Sequence, residues 1–183
     1  MFIRTGRLLL RPAWHEECHE LARLLGDEAV ARNLARVPYP FTVDDAAAFI
    51  AGAQEQNLPG LLMFSRTMGQ PRLVGGVGLH RGDGGLPYLG YWVARPFWGL
   101  GFATEGAAAL LDAARHSLGL SAVGAWHFCD NPASANVLEK LGFQSTGMTA
   151  PRPSLARPDL SLARAYRLEF KGADADGPQA MAA

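Results

Sequence analysis

Two glycines one residue apart, Gly99 and Gly101, lie between a strand-like segment that ends near Ala94 and a helical pattern that begins near Ala103. Glycine adopts backbone conformations that other residues avoid, and it lets a ligand come close to the main chain. The unpaired N–H groups of a first helical turn point at such a ligand, and the helix dipole favours a negative charge there. The pattern therefore predicts an anion-binding loop over residues 98–103, of a kind that suits a pyrophosphate.

Two other interpretations compete for this loop. The fingerprint of dinucleotide-binding folds requires a third glycine, but Thr104 stands at that position. The segment before the loop also has the pattern of an antiparallel meander, whereas a dinucleotide site follows a βα unit. An ordinary strand-to-helix connection fits two glycines alone equally well, so the anion-binding interpretation needs support from a second segment.

That second segment, residues 129–143, is a polar cluster that follows a predicted strand and leads into a short helix. Pro132 suits the first helical turn and Asn131 its N-cap. Helix capping alone is also a sufficient explanation for Asn131 and Ser134. Asn136 lies inside the helix, where the propensity of asparagine is unfavourable, and this favours a contact with a ligand.

The elements that position these residues follow from the spacing of apolar residues. Predicted helices span residues 15–25, 43–56, 103–118 and 132–141. Predicted strands span residues 7–11, 61–67, 72–79, 86–93, 122–129, 144–148 and 162–170. The sequence thus predicts one α/β domain over residues 1–170, with helices flanking a mixed, mostly antiparallel sheet of about seven strands. Residues 171–183 lack apolar periodicity and are expected to form a disordered tail.

The composition argues against several classes of protein. The 183 residues, 49% of them apolar, are enough for one domain with a buried core. Lys and Arg number 17, as do Asp and Glu, and this balance argues against a broad nucleic-acid-binding face. The two cysteines, Cys18 and Cys129, suggest neither a disulfide framework nor a zinc site. No uncharged apolar run approaches the roughly 18 residues of a membrane span. We therefore expect a cytoplasmic protein with no metal, no nucleic-acid partner and no membrane partner.

Four segments in order resemble the GNAT superfamily of acetyl-CoA-dependent N-acetyltransferases, and within it the RimJ/RimL type, the ribosomal-protein-alanine N-acetyltransferases. Residues 5–12 read TGRLLLRP and residues 73–80 read LVGGVGLH. The stretch from Gly90 to Glu105 is similar to the coenzyme loop of that type, and NPAS at 131–134 with LEKLGF at 138–143 resembles its later motif. The resemblance covers nearly the whole ordered chain and implies the GNAT fold, with acetyl-CoA as co-substrate.

The resemblance also implies which residues bind the coenzyme. Amides of the glycine loop would hold the pyrophosphate, the strand before the loop would run beside the pantetheine, and two asparagines would contact it from the facing side. The implied residues are Tyr91, Trp92, Val93, Trp98, Gly99, Leu100, Gly101, Phe102, Ala103, Thr104, Asn131 and Asn136. Trp98 replaces the Gln or Arg of the wider family pattern, which costs little where the contacts come from the backbone.

The expected chemistry is attack of a neutral amine on a thioester carbonyl, with a main-chain N–H near Trp92 or Val93 stabilising the oxyanion by resemblance. Related enzymes often carry a glutamate where this chain has Tyr88. Three side chains can take over proton transfer: His80 as a base, Tyr88 as an acid, and Ser134 as a donor to the departing thiolate. Each also has an ordinary interpretation, as a strand-end residue, a cleft-lining residue and a helix cap respectively.

The missing carboxylate favours an acceptor of low pKa. Deprotonating a lysine amine of pKa about 10.4 at pH 7 costs about 4.6 kcal/mol, and an α-amine of pKa about 8 costs about 1.4 kcal/mol. The preferred acceptor is therefore a peptide or protein N-terminal α-amine. A small-molecule amine acetyltransferase and a weakly catalytic acetyl-CoA-binding module remain alternatives, and the sequence leaves open whether the protein is a monomer or a homodimer.

Overall fold

The protein was examined as a computed structural model that describes residues 1–55, 57–67, 69–82 and 85–170. The tail predicted for residues 171–183 lies outside the described residues. Among those described, no helix combines the length and the apolar character that a membrane crossing demands.

Eight strands form a single sheet in the order β1-β2-β3-β4-β5-β6-β8-β7. Every neighbouring pair is antiparallel except β5 and β6, which are parallel. The strands are β1 (Ile3–Arg4), β2 (Leu8–Arg11), β3 (Gly60–Ser65), β4 (Arg72–Arg81), β5 (Pro87–Val93), β6 (Ala122–Phe128), β7 (Gln144–Arg152) and β8 (Ser161–Glu169). The predicted α/β class and mostly antiparallel sheet are confirmed.

Five helices cover the two faces of the sheet. They are α1 (Cys18–Leu25), α2 (Glu28–Ala31), α3 (Val43–Glu55), α4 (Phe102–Leu118) and α5 (Pro132–Lys140). Helices α1 to α3 bury one apolar layer against β3, β4 and β5, with Leu62, Phe64 and Trp92 at its centre. Helices α4 and α5 bury the other layer, which contains Leu110 and Leu138.

Strand alternation assigns the side chains of β5 to these two layers. Leu89 and Val93 pack with α4, whereas Trp92 and Ala94 pack with α1 to α3. Both faces of β5 are therefore covered by helices. The groups of β5 that can still contact a ligand are its backbone and the side chains that extend past the core.

Three features of the fold depart from the sequence prediction. The sheet has eight strands because the two residues of β1, too short to show any alternation, pair with β2. Helix α2 has four residues and begins where the Asp27 side chain accepts a hydrogen bond from the Ala29 amide. Strand β7 extends to Arg152, past the predicted end at residue 148 and through Pro151, which an edge strand tolerates.

Candidate active site

Strands β5 and β6 diverge immediately after they meet. Their parallel pairing is confined to Tyr88 with Gly124, and the Tyr88 ring lies where a side chain on Gly124 would stand, with a Cβ there only 2.8 Å from Tyr88 Cζ. Beyond this pair the two strands separate toward their carboxyl ends. The gap lies at the only parallel junction of the described sheet and divides it into two parts.

The register of β5 with β4 decides which backbone groups enter this gap. The Ala94 amide donates to the Val74 carbonyl at 2.9 Å, and the register continues without a shift to the end of β4. Because hydrogen-bonded pairs alternate along an antiparallel ladder, the Trp92 amide points at β4, whereas the amides of Tyr91 and Val93 point into the gap. Of the two amides expected near the reacting carbonyl, the register places that of Val93 in the gap and not that of Trp92.

A cavity of about 1180 Å³ occupies the gap and continues to both sides of the sheet. On one side it reaches the glycine loop and α5, and on the other it reaches loop 32–38 and α3. A cavity open on both sides of a split sheet can bring together two ligands from opposite directions.

The glycine loop has the geometry of an anion-binding nest. Gly99 and Gly101 have φ values of +76° and +81°, a left-handed conformation that favours glycine. The first hydrogen bond into α4 is donated by the Glu105 amide to the Gly101 carbonyl at 3.0 Å. Within the described residues, the six amides from Gly99 to Thr104 donate to no protein acceptor. These free N–H groups at the positive end of a 17-residue helix can bind a phosphate or diphosphate.

The side chains of this loop have separate roles. Phe102, the first residue of α4, is buried, and Trp98 is exposed but donates from Nε1 to the Val93 carbonyl at 2.6 Å. Leu100 is exposed, and its carbonyl accepts a 2.9 Å hydrogen bond from Arg7 Nη1. The loop is therefore tied to the end of β5 through Trp98 and to the N-terminal segment through Arg7.

A cluster around Glu105 fixes the start of α4. The Glu105 carboxylate accepts hydrogen bonds from the Thr5 hydroxyl at 2.5 Å, from the Arg7 amide at 3.0 Å and from Arg7 Nε at 2.7 Å. Burial would raise the pKa of the Glu105 carboxyl, but the hydrogen bonds from Thr5 and Arg7 and the Arg7 charge hold it below its ordinary value. We call these contacts the Glu105 clamp, because they tie the N-terminal segment to the first turn of α4.

Helix α5 brings two of the expected polar residues to the cavity. The Asn131 side chain caps the helix by accepting from the Ser134 amide at 3.2 Å. Asn136 is exposed at the cavity rim, and within the described chain its amide has no hydrogen-bond partner. Asn131 thus has a structural role as cap, and Asn136 has a side chain free to contact a ligand.

Ser134 forms a hydrogen-bonded pair with Tyr91 across the gap. The Tyr91 hydroxyl lies 2.7 Å from Ser134 Oγ, and it also donates to the Ser134 carbonyl at 3.1 Å. Burial raises the pKa of the Tyr91 hydroxyl to about 12, against the opposite effect of the Ser134 hydrogen bond. Tyr91 is therefore protonated at neutral pH, and the pair can supply a proton on the α5 side of the cavity.

His80 and Tyr88 occupy the opposite face but differ in access. His80 lines the cavity near Gly90, where a Cβ would lie 3.6 Å from its ring atoms. Burial, followed by the charge of Arg36, lowers the pKa of His80 below its ordinary value. Tyr88 packs over Gly124 and is not among the residues that line the cavity. The centroids of the two rings lie 6.2 Å apart, but the side chains differ in access: His80 lines the cavity and can reach a ligand, whereas Tyr88 supports the junction of β5 and β6.

His127, on β6, lines the site although it is not among the residues predicted from the sequence. Its side chain is 7% exposed, lines the cavity and packs 5.4 Å from the Tyr166 ring. Nδ1 lies 2.7 Å from the Phe128 carbonyl oxygen, so Nδ1–H donates and Nε2 carries the lone pair. Nε2 is buried and has no partner among the described groups, and such an acceptor suits an N–H or O–H of a bound ligand. Strand alternation predicts that His127 is buried but cannot reveal the unpaired nitrogen.

Comparison with known families identifies the family of the chain. Residues 7–144 match the family model of the acetyltransferase (GNAT) domain. The chain belongs to the GNAT acetyltransferase family. It is therefore an acyltransferase, and it is 27% identical over 155 residues to the uncharacterized N-acetyltransferase YoaA of Bacillus subtilis strain 168, an alignment covering 80% of this chain and 84% of the relative.

Solved structures share the fold of this acetyltransferase over nearly its full length. A GNAT acetyltransferase from Bacillus anthracis aligns with a TM-score of 0.79 at 21% identity, covering 92% of this chain and 98% of the other. An acetyl transferase from Salmonella typhimurium that modifies the N-terminal serine of ribosomal protein L7/L12 aligns at 0.77 and 17% identity, covering 93% and 100%. The microcin C7 self-immunity acetyltransferase MccE, in complex with acetyl-CoA and AMP, aligns at 0.74 and 17% identity, covering 91% and 94%.

The Glu105 clamp yields a prediction about folding stability. Glu105→Gln removes the charge that accepts three hydrogen bonds, and it should lower the free energy of unfolding by about 1–2 kcal/mol, since Arg7 is partly solvated. Because the folded carboxyl has the lower pKa, the wild-type advantage should be present above pH 4.5 and diminish as the pH falls below it. Urea denaturation of both proteins at pH 7 and pH 4 measures the difference in unfolding free energy. Glu139→Gln, at an exposed position of α5, is the control. Equal stabilities of Glu105→Gln and wild type at pH 7 would contradict the clamp.

Proposed function

We propose that this acetyltransferase transfers the acetyl group of acetyl-CoA to the α-amine of a peptide or protein N-terminus, as a RimJ/RimL-type enzyme. The observation that carries the proposal is a cavity with a diphosphate-binding nest on one side and, on the other, a neutral histidine as the base that the described residues offer in place of a carboxylate. We also propose a cytoplasmic location, in keeping with the two free cysteines, Cys18 and Cys129.

The site fits acetyl-CoA in charge and in hydrogen-bonding capacity. The free amides from Gly99 to Thr104 suit its diphosphate, and Lys140 lines the same part of the cavity. The gap-facing amides of β5 and the lone pair of His127 Nε2 complement the amide groups of a pantetheine chain. Family membership and the MccE complex with acetyl-CoA support the same co-substrate. Asn136 and the backbone of Tyr91 and Val93 would complete the contacts.

Acetyl-CoA supplies an activated thioester, and the chain supplies positioning and proton transfer. The Val93 amide, free of the β4 ladder, is the donor that would stabilise the oxyanion as the amine attacks. On the α5 side, Ser134 would pass its hydroxyl proton to the departing thiolate as Tyr91 passes its own proton to Ser134 Oγ, and solvent would then return a proton to the Tyr91 oxygen. On the opposite face, His80 would accept the proton that the amine loses.

The acceptor follows from the strength of this base. Among the described residues, two acids line the cavity: Asp45, which is bound to Thr42, and Asp130, which is bound to Arg157 and Arg32. Neither of these two carboxylates is free to act as a base. A histidine whose pKa is lowered is a weak base, and it suits an amine that is cheap to deprotonate. The Salmonella typhimurium structure, whose described activity is on a protein N-terminal serine, supports the same class of acceptor. A small-molecule amine remains the second candidate, since MccE, which has the same fold, binds the small molecule AMP together with acetyl-CoA.

An acceptor screen tests the proposal directly. Thiol release from acetyl-CoA would be followed across pH with peptides bearing free N-termini, with N-terminally blocked lysine peptides and with small amines. We expect peptide N-termini to be acetylated faster at pH 7. Equal rates with lysine side chains would refute the preference for an α-amine, and acetyl-CoA binding without any turnover would favour a weakly catalytic binding module.

Gly101→Ala tests the nest. The left-handed φ of Gly101 should cost an alanine about 1–2 kcal/mol, and the added Cβ, 3.4 Å from Arg7 Nη2, stands beside the free amides. We expect the Kd for acetyl-CoA to rise about tenfold in calorimetry. Gly119→Ala is a matched control, because Gly119 also has a left-handed φ but lies in open space at the far end of α4. An increase in Kd of the same size in both variants would mean that general destabilisation explains the effect.

Ser134→Ala tests proton donation to the thiolate. Removing the hydroxyl should lower kcat about 10- to 100-fold and leave the Kd for acetyl-CoA nearly unchanged, because the Asn131 cap binds the Ser134 amide and not its side chain. Tyr91→Phe should give a smaller loss in the same direction. Stopped-flow acetylation under single-turnover conditions isolates the step, and an unchanged rate in Ser134→Ala would exclude this role.

His80→Gln tests the base. The lowered pKa keeps His80 neutral at pH 7, so wild-type kcat/KM, expressed per unprotonated acceptor amine, should fall only as the pH drops below 6.5 and the ring becomes protonated. In His80→Gln this acidic limb should disappear and kcat/KM at pH 7 should fall about 100-fold. His19→Gln, at an exposed position on α1, is the control. An acidic limb that persists in His80→Gln would assign the titration to another group.

A further inference from the structure

Loop 32–38 forms the wall of the cavity on the side proposed for the acceptor. Hydrogen bonds from a later segment of the chain fix the shape of this loop. Three donors from the segment before β8 reach carbonyls of this loop: Ser154 Oγ donates to Leu34 at 2.7 Å, the Leu155 amide to Ala35 at 3.0 Å, and Arg157 Nε to Arg32 at 2.7 Å. We call these three contacts the wall clasp. They fix the backbone from which the side chains of the loop extend.

The charges along this wall do not balance. Asp130 accepts from both Nη atoms of Arg157 at 2.9 Å and from Arg32 Nη2 at 3.1 Å. Asp45 caps α3 by accepting from the Thr42 amide at 2.8 Å and from the Thr42 hydroxyl at 2.6 Å. Both carboxylates of the wall are therefore engaged, and three guanidinium groups face these two acids.

Arg36 is the guanidinium of this wall to which neither of the two carboxylates is bound. Its side chain is exposed and lines the cavity, and across the described ranges it has neither an ion pair nor a hydrogen bond. Its positive charge nevertheless acts on the partly buried ring of His80 and, after burial, is the second cause that lowers the pKa of this histidine. An anion bound by Arg36 would thus lie near the base at which the amine must lose its proton.

We infer that Arg36 selects acceptors that carry an anionic group, a carboxylate or a phosphate, close to the reactive amine. This inference rests on the proposed transfer of acetyl to an amine and adds the chemical class of the acceptor. A guanidinium is suited to carboxylate and phosphate because its planar donors can bind two oxygens at once. The same positive charge repels polycationic amines from the cavity.

Acceptors matched in all but charge provide the test. Peptides with a free N-terminal serine and Asp, Asn or Lys at the second position would be compared by kcat/KM, together with small amines that carry a carboxylate, a phosphate or no anion. We expect each step from Asp to Asn to Lys to lower kcat/KM about five- to tenfold at low salt, and the differences to shrink as the ionic strength rises. The small-amine arm distinguishes a free acid or phosphate from an acidic peptide as the source of the anion.

Variants of Arg36 assign the preference to this residue. Arg36→Gln should make the three peptides equivalent, and Arg36→Glu should favour the Lys peptide, with the Kd for acetyl-CoA unchanged in both. Arg72→Gln, an exposed arginine at the far end of β4, is the matched control and should retain the wild-type order. Equal kcat/KM for the Asp, Asn and Lys peptides in wild type, or an unchanged order in Arg36→Gln, would overturn the inference.

Binding of fluorescent peptides to the complex with CoA separates this inference from the proposed function. If no acceptor is acetylated but the Asp peptide binds more tightly than the Lys peptide and loses this advantage in Arg36→Gln, the charge selection holds and the proposed transfer fails. If acetylation proceeds and binding is indifferent to charge, the proposed function holds and the selection by Arg36 is wrong.

Discussion

Strands β5 and β6 are neighbours in the sheet, yet they pair only at Tyr88 and Gly124. Strand β5 satisfies half of its backbone groups through β4, and β6 is held on its other side by β8 along its whole length. The gap therefore opens without unravelling either half of the sheet, and it leaves amides of β5 without a strand partner. A ligand with a peptide-like chain can take the place of the missing strand, because it can satisfy the same groups.

This separation also places proton transfer on two sides of one cleft. Side chains that alternate along β5 and β4 reach opposite layers, so Tyr91 meets Ser134 beneath α5, whereas His80 faces the layer of α1 to α3. An acid and a base on opposite faces cannot neutralise each other directly. The local fields also differ, since free amides face one end of the cavity and Arg36 faces the other, although the chain as a whole has a net charge of zero.

Local patterns in the sequence predicted the elements well because their causes are local. The apolar stripe of α4 is buried as its spacing requires, with Ala107, Leu110 and Ala114 inaccessible to solvent. The two loop glycines have the left-handed conformation that the strand-to-helix turn demands. In contrast, the Glu105 clamp joins residues 98 and 100 positions apart, and periodicity has no access to such contacts.

The same reasoning explains which side chains the sequence pattern could not place. Tyr88 was a candidate acid because it replaces a carboxylate of related sequences, but the absence of a side chain at Gly124 draws its ring to the strand junction. His127 alternates with buried residues along β6, so periodicity predicts its burial, and only the geometry of the Phe128 carbonyl reveals which nitrogen is left unpaired. Arg36 lies in a loop with no periodicity, so its role depends on which neighbouring acids are already engaged.

The wall clasp joins parts of the chain that emerge from the ribosome far apart in time. Its hydrogen bonds span 120 and 125 residues, whereas the nest is complete once β5 and the start of α4 have formed. Contacts of such long sequence separation are entropically expensive and form late in folding. During synthesis the coenzyme half of the cleft is therefore assembled first, and the acceptor half stays open until the β7–β8 hairpin has been added.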